Sequence, residues 1–398
     1  MHLYLKENKW IPFFAIAILV VRTSVSLNMF PSLIMFSYAA LGMCIINFLF
    51  FIILYLKERK VTVFGISVFL YYTLLFAFSV INNTDFTYAF YSTVEVLLLL
   101  TIFALYKEHI SIVIVSFAAI FSLSVYVNLA IMILYPTWMF EAKDVSQSFL
   151  LGGNYNQMGV RLLCGAVTSV IAIKYSKWWL LNTIILFIVA FVTLAIVTSM
   201  TSLANLIVFG LFCLIPSLLL RKIAIFSLFV VFILFQIFIV FYGEGIQQNE
   251  FAVYIIEDVL NKDLTFTGRT YLWERSGILF SESPIIGYGF MNEDWFLEHI
   301  SAKALGPHNF IYSVLLEGGI VLFAQYIFIC VVALKKFVRQ FDALASYILM
   351  AIVVLMFMMV MEVFSTFYVI FLLTLAYYYK DIKESFVKNK PDMMVRDV

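Results

Sequence analysis

The feature that most limits what this chain can fold into is a succession of long apolar stretches, at 11–27, 33–56, 61–81, 86–106, 110–135, 156–174, 178–199, 203–220, 223–242, 309–334, 343–361 and 364–379. A helix needs about 20 apolar residues to cross a hydrocarbon core about 30 Å thick, so each stretch is a candidate span. Lipid offers backbone amides no partner, and these residues run continuously instead of alternating as barrel strands require. The expectation is an all-α polytopic membrane protein with about twelve transmembrane helices. Composition excludes the alternative: 64% of the 398 residues are hydrophobic and only 12% charged, which a soluble domain does not tolerate. The first stretch follows Lys6 and Lys9 as a signal peptide would. It lacks a small-residue cleavage site and further spans follow, so it reads as retained.

A net charge of +1 implies no nucleic-acid partner, whereas the placement of charge sets a topology. With a cytoplasmic N-terminus, the outer connections carry only Lys143, Lys262, Arg269, Arg275 and Lys303, and Arg22 and Arg161 lie inside spans. Every other basic residue falls on the inner side, so the positive-inside rule selects both termini cytoplasmic. The chain then divides into nine spans (1–242), an extracytoplasmic loop (243–308), three spans (309–380) and a cytoplasmic tail (381–398). In the loop, Phe251, Tyr254, Ile255 and Val259 recur at helical spacing against Glu250, Glu257 and Asp258, as in a helix lying on the membrane surface. A second helix is expected over 270–280, stopped by Pro284 and Gly287-Tyr288-Gly289. The plainer reading of both is a lid that only packs on the spans. Cys44, Cys164, Cys213 and Cys330 all fall in apolar stretches and suggest neither a disulfide framework nor a zinc site. No internal repeat divides the chain into the two similar halves of a major-facilitator transporter.

Arg22 and Arg161 stand out because a guanidinium at the bilayer centre costs about 2.5–3.5 kcal/mol on insertion scales. Both lie towards the outer side, with Arg269, Arg275 and His308. Snorkelling to headgroups is the bland alternative for each, and Glu95 is available to neutralise one. Arginines gathered at that depth suit an anionic headgroup, for which a lipid diphosphate is the obvious candidate. His308 stands where the loop re-enters the membrane and can take a proton from a hydroxyl near neutral pH. It could instead cap the next helix together with Asn309. A His299/His308 metal site lacks a further ligand at a telling spacing, so no metal and no cofactor are expected.

The run Thr267-Gly268-Arg269-Thr270-Tyr271-Leu272-Trp273, then Ser283-Pro284-Ile285-Ile286-Gly287-Tyr288-Gly289, Pro307-His308-Asn309-Phe310 and Leu316-Glu317-Gly318-Gly319-Ile320 resembles the O-antigen ligase and Wzy-type polymerase superfamily. Gly152-Gly153-Asn154-Tyr155-Asn156-Gln157 is similar to that family's glycine- and asparagine-rich entry to a span. The resemblance implies a GT-C-like membrane glycosyltransferase in the bacterial cytoplasmic membrane. Its donor would be an undecaprenyl-diphosphate-linked glycan, used on the outer face without a nucleotide sugar or a required metal. It further implies that Arg269 binds the diphosphate and that His308 is the acceptor-side base or its positioning group. By their position on the outer side, Arg161, Arg275 and Arg22 are further candidate cations for the diphosphate, with Trp273, Tyr288, Asn309 and Glu317 in support. The chain departs from the family at Met200, where an arginine is expected.

The favoured expectation is a polymerase of lipid-linked repeat units for O-antigen, capsule or exopolysaccharide, working beside a flippase and a chain-length regulator. A ligase sending the same donor to another acceptor would use the same chemistry. From another class, a flippase or exporter of lipid-linked oligosaccharide should offer charge on both sides of the midplane. A receptor or scaffold would leave Arg161, Arg269 and His308 unexplained.

Overall fold

The computed structural model describes residues 8–25, 33–58, 60–134, 150–151, 155–197, 199–241, 269–301 and 306–388. The surface helix expected around 251–259, the glycines and asparagine at 152–154 and residues 267–268 lie outside that set. The described helices are α1 (Trp10–Ser24), α2 (Ile34–Lys57), α3 (Val63–Ile81), α4 (Phe86–Leu105), α5 (Ile110–Leu134), α6 (Tyr155–Ala172), α7 (Trp178–Ile196), α8 (Met200–Leu214), α9 (Leu218–Phe235), α10 (Arg269–Glu282), α11 (Glu293–His299), α12 (Phe310–Phe337), α13 (Ala343–Met361), α14 (Thr366–Tyr377) and α15 (Tyr379–Lys388). A π-helical turn, Gln236–Phe241, continues α9. Among the described residues, eight helices are long and apolar enough to cross a membrane: α2, α3, α4, α5, α7, α9, α12 and α13. The apolar helices α1, α6, α8 and α14 are shorter, and each falls on one of the remaining apolar stretches.

Helix starts follow cap chemistry. Thr62 accepts from Gly65 N, Asp85 from Thr87 N, and Asp342 from Leu344 N and Ala345 N, which satisfies amides that a first turn leaves unpaired. Hydropathy alone carries one stretch through 203–220, and there the backbone overrules it. Pro216 cannot donate a hydrogen bond and its ring obstructs a continuing helix, so α8 ends at Leu214 and Ser217 caps α9. Arg221, expected in a connection, therefore lies inside α9. It is 5% exposed and donates to Ile215 O (2.7 Å), Ala343 O (3.1 Å), Ser346 Oγ (3.2 Å) and Tyr347 OH (2.8 Å), stapling α9 to the start of α13.

Burial separates periphery from centre: 11% of the most apolar window of α2 is buried, against 72% for α4. Lipid tails are as apolar as leucine, so a bare apolar face such as that of α2 is at home against them. At the centre α14 touches α4, α6, α12 and α13, and its Phe367, Tyr368 and Phe371 are buried.

The motifs around Gly287 and Gly318 form one unit. Gly318 (φ −151°, ψ 20°) and Gly319 (φ 59°, ψ −158°) break α12 into two helices set end to end. The freed backbone groups pair with the segment after α10. Tyr288 N donates to Leu316 O (2.7 Å), Gly289 N to Glu317 O (2.9 Å), Ile320 N to Pro284 O (2.8 Å) and Val321 N to Ile285 O (3.3 Å). A Cβ on Gly319 would stand 2.3 Å from Ile285 O, and one on Gly287 (φ +59°) 2.3 Å from Leu316 O, so both crossings require glycine. Phe290 N then donates to Ser79 Oγ (2.8 Å), which ties this strap to α3.

Candidate functional site

Side chains from α6, α10 and the start of α12 meet at the break between α13 and α14. Glu362 leaves helical geometry (φ −152°, ψ 153°), and Ser365 opens α14 by accepting from Phe367 N (3.3 Å). Around that break, Val360 O accepts from Asn309 Nδ2 (3.3 Å), Met361 O from Arg269 Nε (3.0 Å) and Val363 O from Gln157 Nε2 (2.8 Å). Glu362 Oε1 lies 3.1 Å from His308 Nδ1. Arg269 and His308, 39 positions apart, are thus held at adjacent residues of one turn.

Asn309, not His308, caps α12. It is fully buried, accepts from Tyr312 N (3.1 Å) and donates to Gln236 Oε1 (3.1 Å) in the π-helical turn. His308 adopts φ +46°, a conformation that costs a non-glycine residue about 1–3 kcal/mol and persists where its surroundings enforce it. At 28% and 15% side-chain exposure, His308 and Glu362 form a pair that a ligand can reach. With its proton on Nδ1, facing the carboxylate at ion-pair distance, the ring keeps a lone pair on Nε2 that can act as a base.

Of the arginines, Arg161 does not snorkel. It is 8% exposed, its guanidinium lies 5.2 Å from the Tyr368 ring centroid, and it donates to the carbonyls of Gln157 and Thr23. Its buried Nε has no hydrogen-bond partner among the described residues. Arg22 is the arginine that Glu95 neutralises, at 3.0 Å. Arg275 donates to His299 O (3.4 Å), not to the break. His299 stacks on Trp295, with ring centroids 4.2 Å apart. Among the described residues no three His, Cys, Asp or Glu side chains gather as a metal site would need. Trp273 is 1% exposed and packs with Tyr312, while Tyr288 OH donates to Leu279 O (2.8 Å), so both shape the strap and its footing. Glu317 sits in α12 and accepts from Ser313 Oγ (3.4 Å).

Sequence reasoning missed Glu362 and the anchoring role of Gln157. A signal for the first existed, because Glu362 is the only charged residue between 343 and 379.

Residues 183–327 match the O-antigen ligase family model (Wzy_C). The match supports the O-antigen ligase and polymerase superfamily that the motifs resemble, and with the apolar helices it marks a membrane protein. It runs from α7 into α12 and contains Arg269, the glycine strap and His308, whereas Gln157, Arg161 and Glu362 lie outside it. No curated protein and no solved structure matches the chain. Met200, where the resemblance expects an arginine, is 64% exposed in the first turn of α8.

Proposed function

We propose that the chain is a GT-C-like membrane glycosyltransferase with twelve spans, α1 to α9 and α12 to α14, and both termini cytoplasmic. In this reading it polymerises undecaprenyl-diphosphate-linked oligosaccharide repeat units on the outer face of the bacterial cytoplasmic membrane. The observation that carries it is the meeting of Arg269, the Arg161–Gln157 pair and the His308–Glu362 pair at one break, within a chain that matches the O-antigen ligase family.

The acceptor hydroxyl gives its proton to His308 Nε2 while its oxygen attacks the anomeric carbon of the donor glycan. The bond from that carbon to the diphosphate oxygen breaks, and the electron pair leaves with the lipid diphosphate. Glu362 steadies the imidazolium as it forms. Arg269 and Arg161 face the growing negative charge, and the unpaired Nε of Arg161 is a donor an anion would satisfy. Arg161 would supply the guanidinium absent at Met200, and Arg22, already paired with Glu95, contributes less. Two lipid-tethered substrates share one membrane surface, which makes their encounter effectively local.

Ligase activity uses the same steps with a different acceptor, and the matched family's description favours keeping it as the second reading. Deleting the gene and weighing the lipid-linked intermediates separates the two. Accumulated single units mean polymerase and accumulated long chains mean ligase. Unchanged intermediates and surface glycan would overturn both.

A further inference from the structure

The helix α9 does not finish in an α-helical turn: Gln236–Phe241 is π-helical. Such turns are rare and recur at functional sites, because the wider turn re-aims side chains that a regular helix would place elsewhere. The side chain at its start, Gln236, is buried with its amide against that of Asn309. The two amides pair reciprocally: Asn309 Nδ2 donates to Gln236 Oε1 (3.1 Å) and Gln236 Nε2 donates to Asn309 Oδ1 (3.4 Å). Asn309 Nδ2 also donates to Val360 O (3.3 Å), and its Oδ1 accepts from Tyr312 N (3.1 Å). A side-chain amide offers two donor hydrogens and two acceptor lone pairs, so Asn309 uses its full complement. The reciprocal pair tells oxygen from nitrogen at both ends, which leaves Asn309 one orientation. Apolar packing seats the turn on the same elements, with Val240 among Trp273 of α10, Tyr312 of α12 and Val360 of α13.

His308 immediately precedes Asn309 and holds φ +46°, a backbone that persists only where its neighbours enforce it. On one side stands Pro307, buried and with its own φ fixed by the ring; on the other stands Asn309. Asn309 reaches Val360 while His308 reaches Glu362, so the two neighbours register against alternate residues of one turn. We propose that Gln236 is a positioning residue for His308: by locking the Asn309 amide it fixes the backbone that aims the imidazole at Glu362. Gln236 is itself buried, so it acts through Asn309 and not on substrate. This assignment rests on the functional reading above, in which His308 is the base.

The test is the initial rate of the full-length chain in lipid nanodiscs with lipid-linked glycan, normalised to folded protein. Gln236→Met keeps the length and volume of the side chain but cannot pair with Asn309. It should lower kcat about tenfold or more and leave KM within about twofold. Added to Glu362→Gln, it should cost less than about threefold further, since an imidazole with no carboxylate to face has little left to lose from poor aim. A general loosening of the bundle would instead multiply the same loss onto either background. Should Gln236→Met fail to fold, Asn309→Ser takes its place with the same values expected, because serine still caps α12 but is too short to reach Gln236. The positioning role is overturned by a kcat within about threefold of wild type, by a KM rise that accounts for the loss, or by the full loss recurring on top of Glu362→Gln. Wild-type kcat in Glu362→Gln alone would overturn the functional reading.

Discussion

Glu362→Gln isolates what the carboxylate does for His308. Glutamine keeps the volume and an oxygen for Val363 N, which donates to Glu362 Oε1 at 3.2 Å, so the turn between α13 and α14 survives. What disappears is a negative charge beside an imidazole that must become positive during the reaction. Two unit charges about 4 Å apart interact by about 4 kcal/mol at an effective dielectric near 20, and by about 1 kcal/mol in water. With the two side chains 28% and 15% exposed, the pair belongs between those limits. A loss of about 2–3 kcal/mol from the transition state alone corresponds to kcat lowered about 30- to 160-fold. KM should stay within about twofold, because a group that acts only as charge develops does not hold the ground-state substrate. Initial rates in purified membranes supplied with lipid-linked glycan measure both constants. A kcat within threefold of wild type, or a rise in KM that accounts for the whole loss, would refute the reasoning.

Other outcomes follow from the same geometry. His308→Ala and Arg269→Ala should each abolish polymer while lipid-linked single units persist, and Arg269→Lys should remain at least about tenfold below wild type because lysine lacks the two-pronged fork. Full activity of the lysine variant on gels of surface glycan would exclude bidentate recognition. Gly319→Ala puts a methyl group against Ile285 O at φ +59°, and the strained backbone alone should cost about 1–3 kcal/mol, visible as a lower thermal midpoint in detergent. An unchanged midpoint would show that the strap yields. Asp342 lies outside the spans; burial pushes its carboxyl up, but the Ala345 amide, Lys383 and Tyr379 together hold it below the usual aspartate range. Its folded form binds a proton less readily than the unfolded one, so its stabilising effect is present above the unfolded pKa and fades as pH falls through the folded value. Asp342→Asn should therefore flatten the loss of thermal stability below pH about 4, and an equally steep acid limb would contradict this.

The apolar stretches were legible because lipid imposes the same demand on every spanning segment, and α10 ended where Pro284 and its glycines said it would. The stretch at 203–220 misled because hydropathy counts side chains, whereas Pro216 acts on the backbone. Arg221 misled for a related reason: beside Lys222, between two apolar stretches, it reads as part of a connection until Tyr347 and Ala343, over a hundred positions away, are seen to enclose it. The gap between the last two apolar stretches was visible at 362–363, but its task was not. Only folding brings His308 to Glu362 and Gln157 to Val363, and nothing local to any of the four announces a partner. The individual cations were readable, while which of them Glu95 had already claimed was not.

The crossing of 284–289 over 316–321 is made by main-chain atoms, so it is indifferent to most side chains but strict about count. Adding or removing one residue in either segment would shift every donor past its acceptor, and the proline-to-glycine interval is therefore expected to tolerate exchange of residues but no change of length. The N-terminal half of α12, with His308 at its tip, inherits its aim from that interval much as a sight is set by the bracket that clamps it.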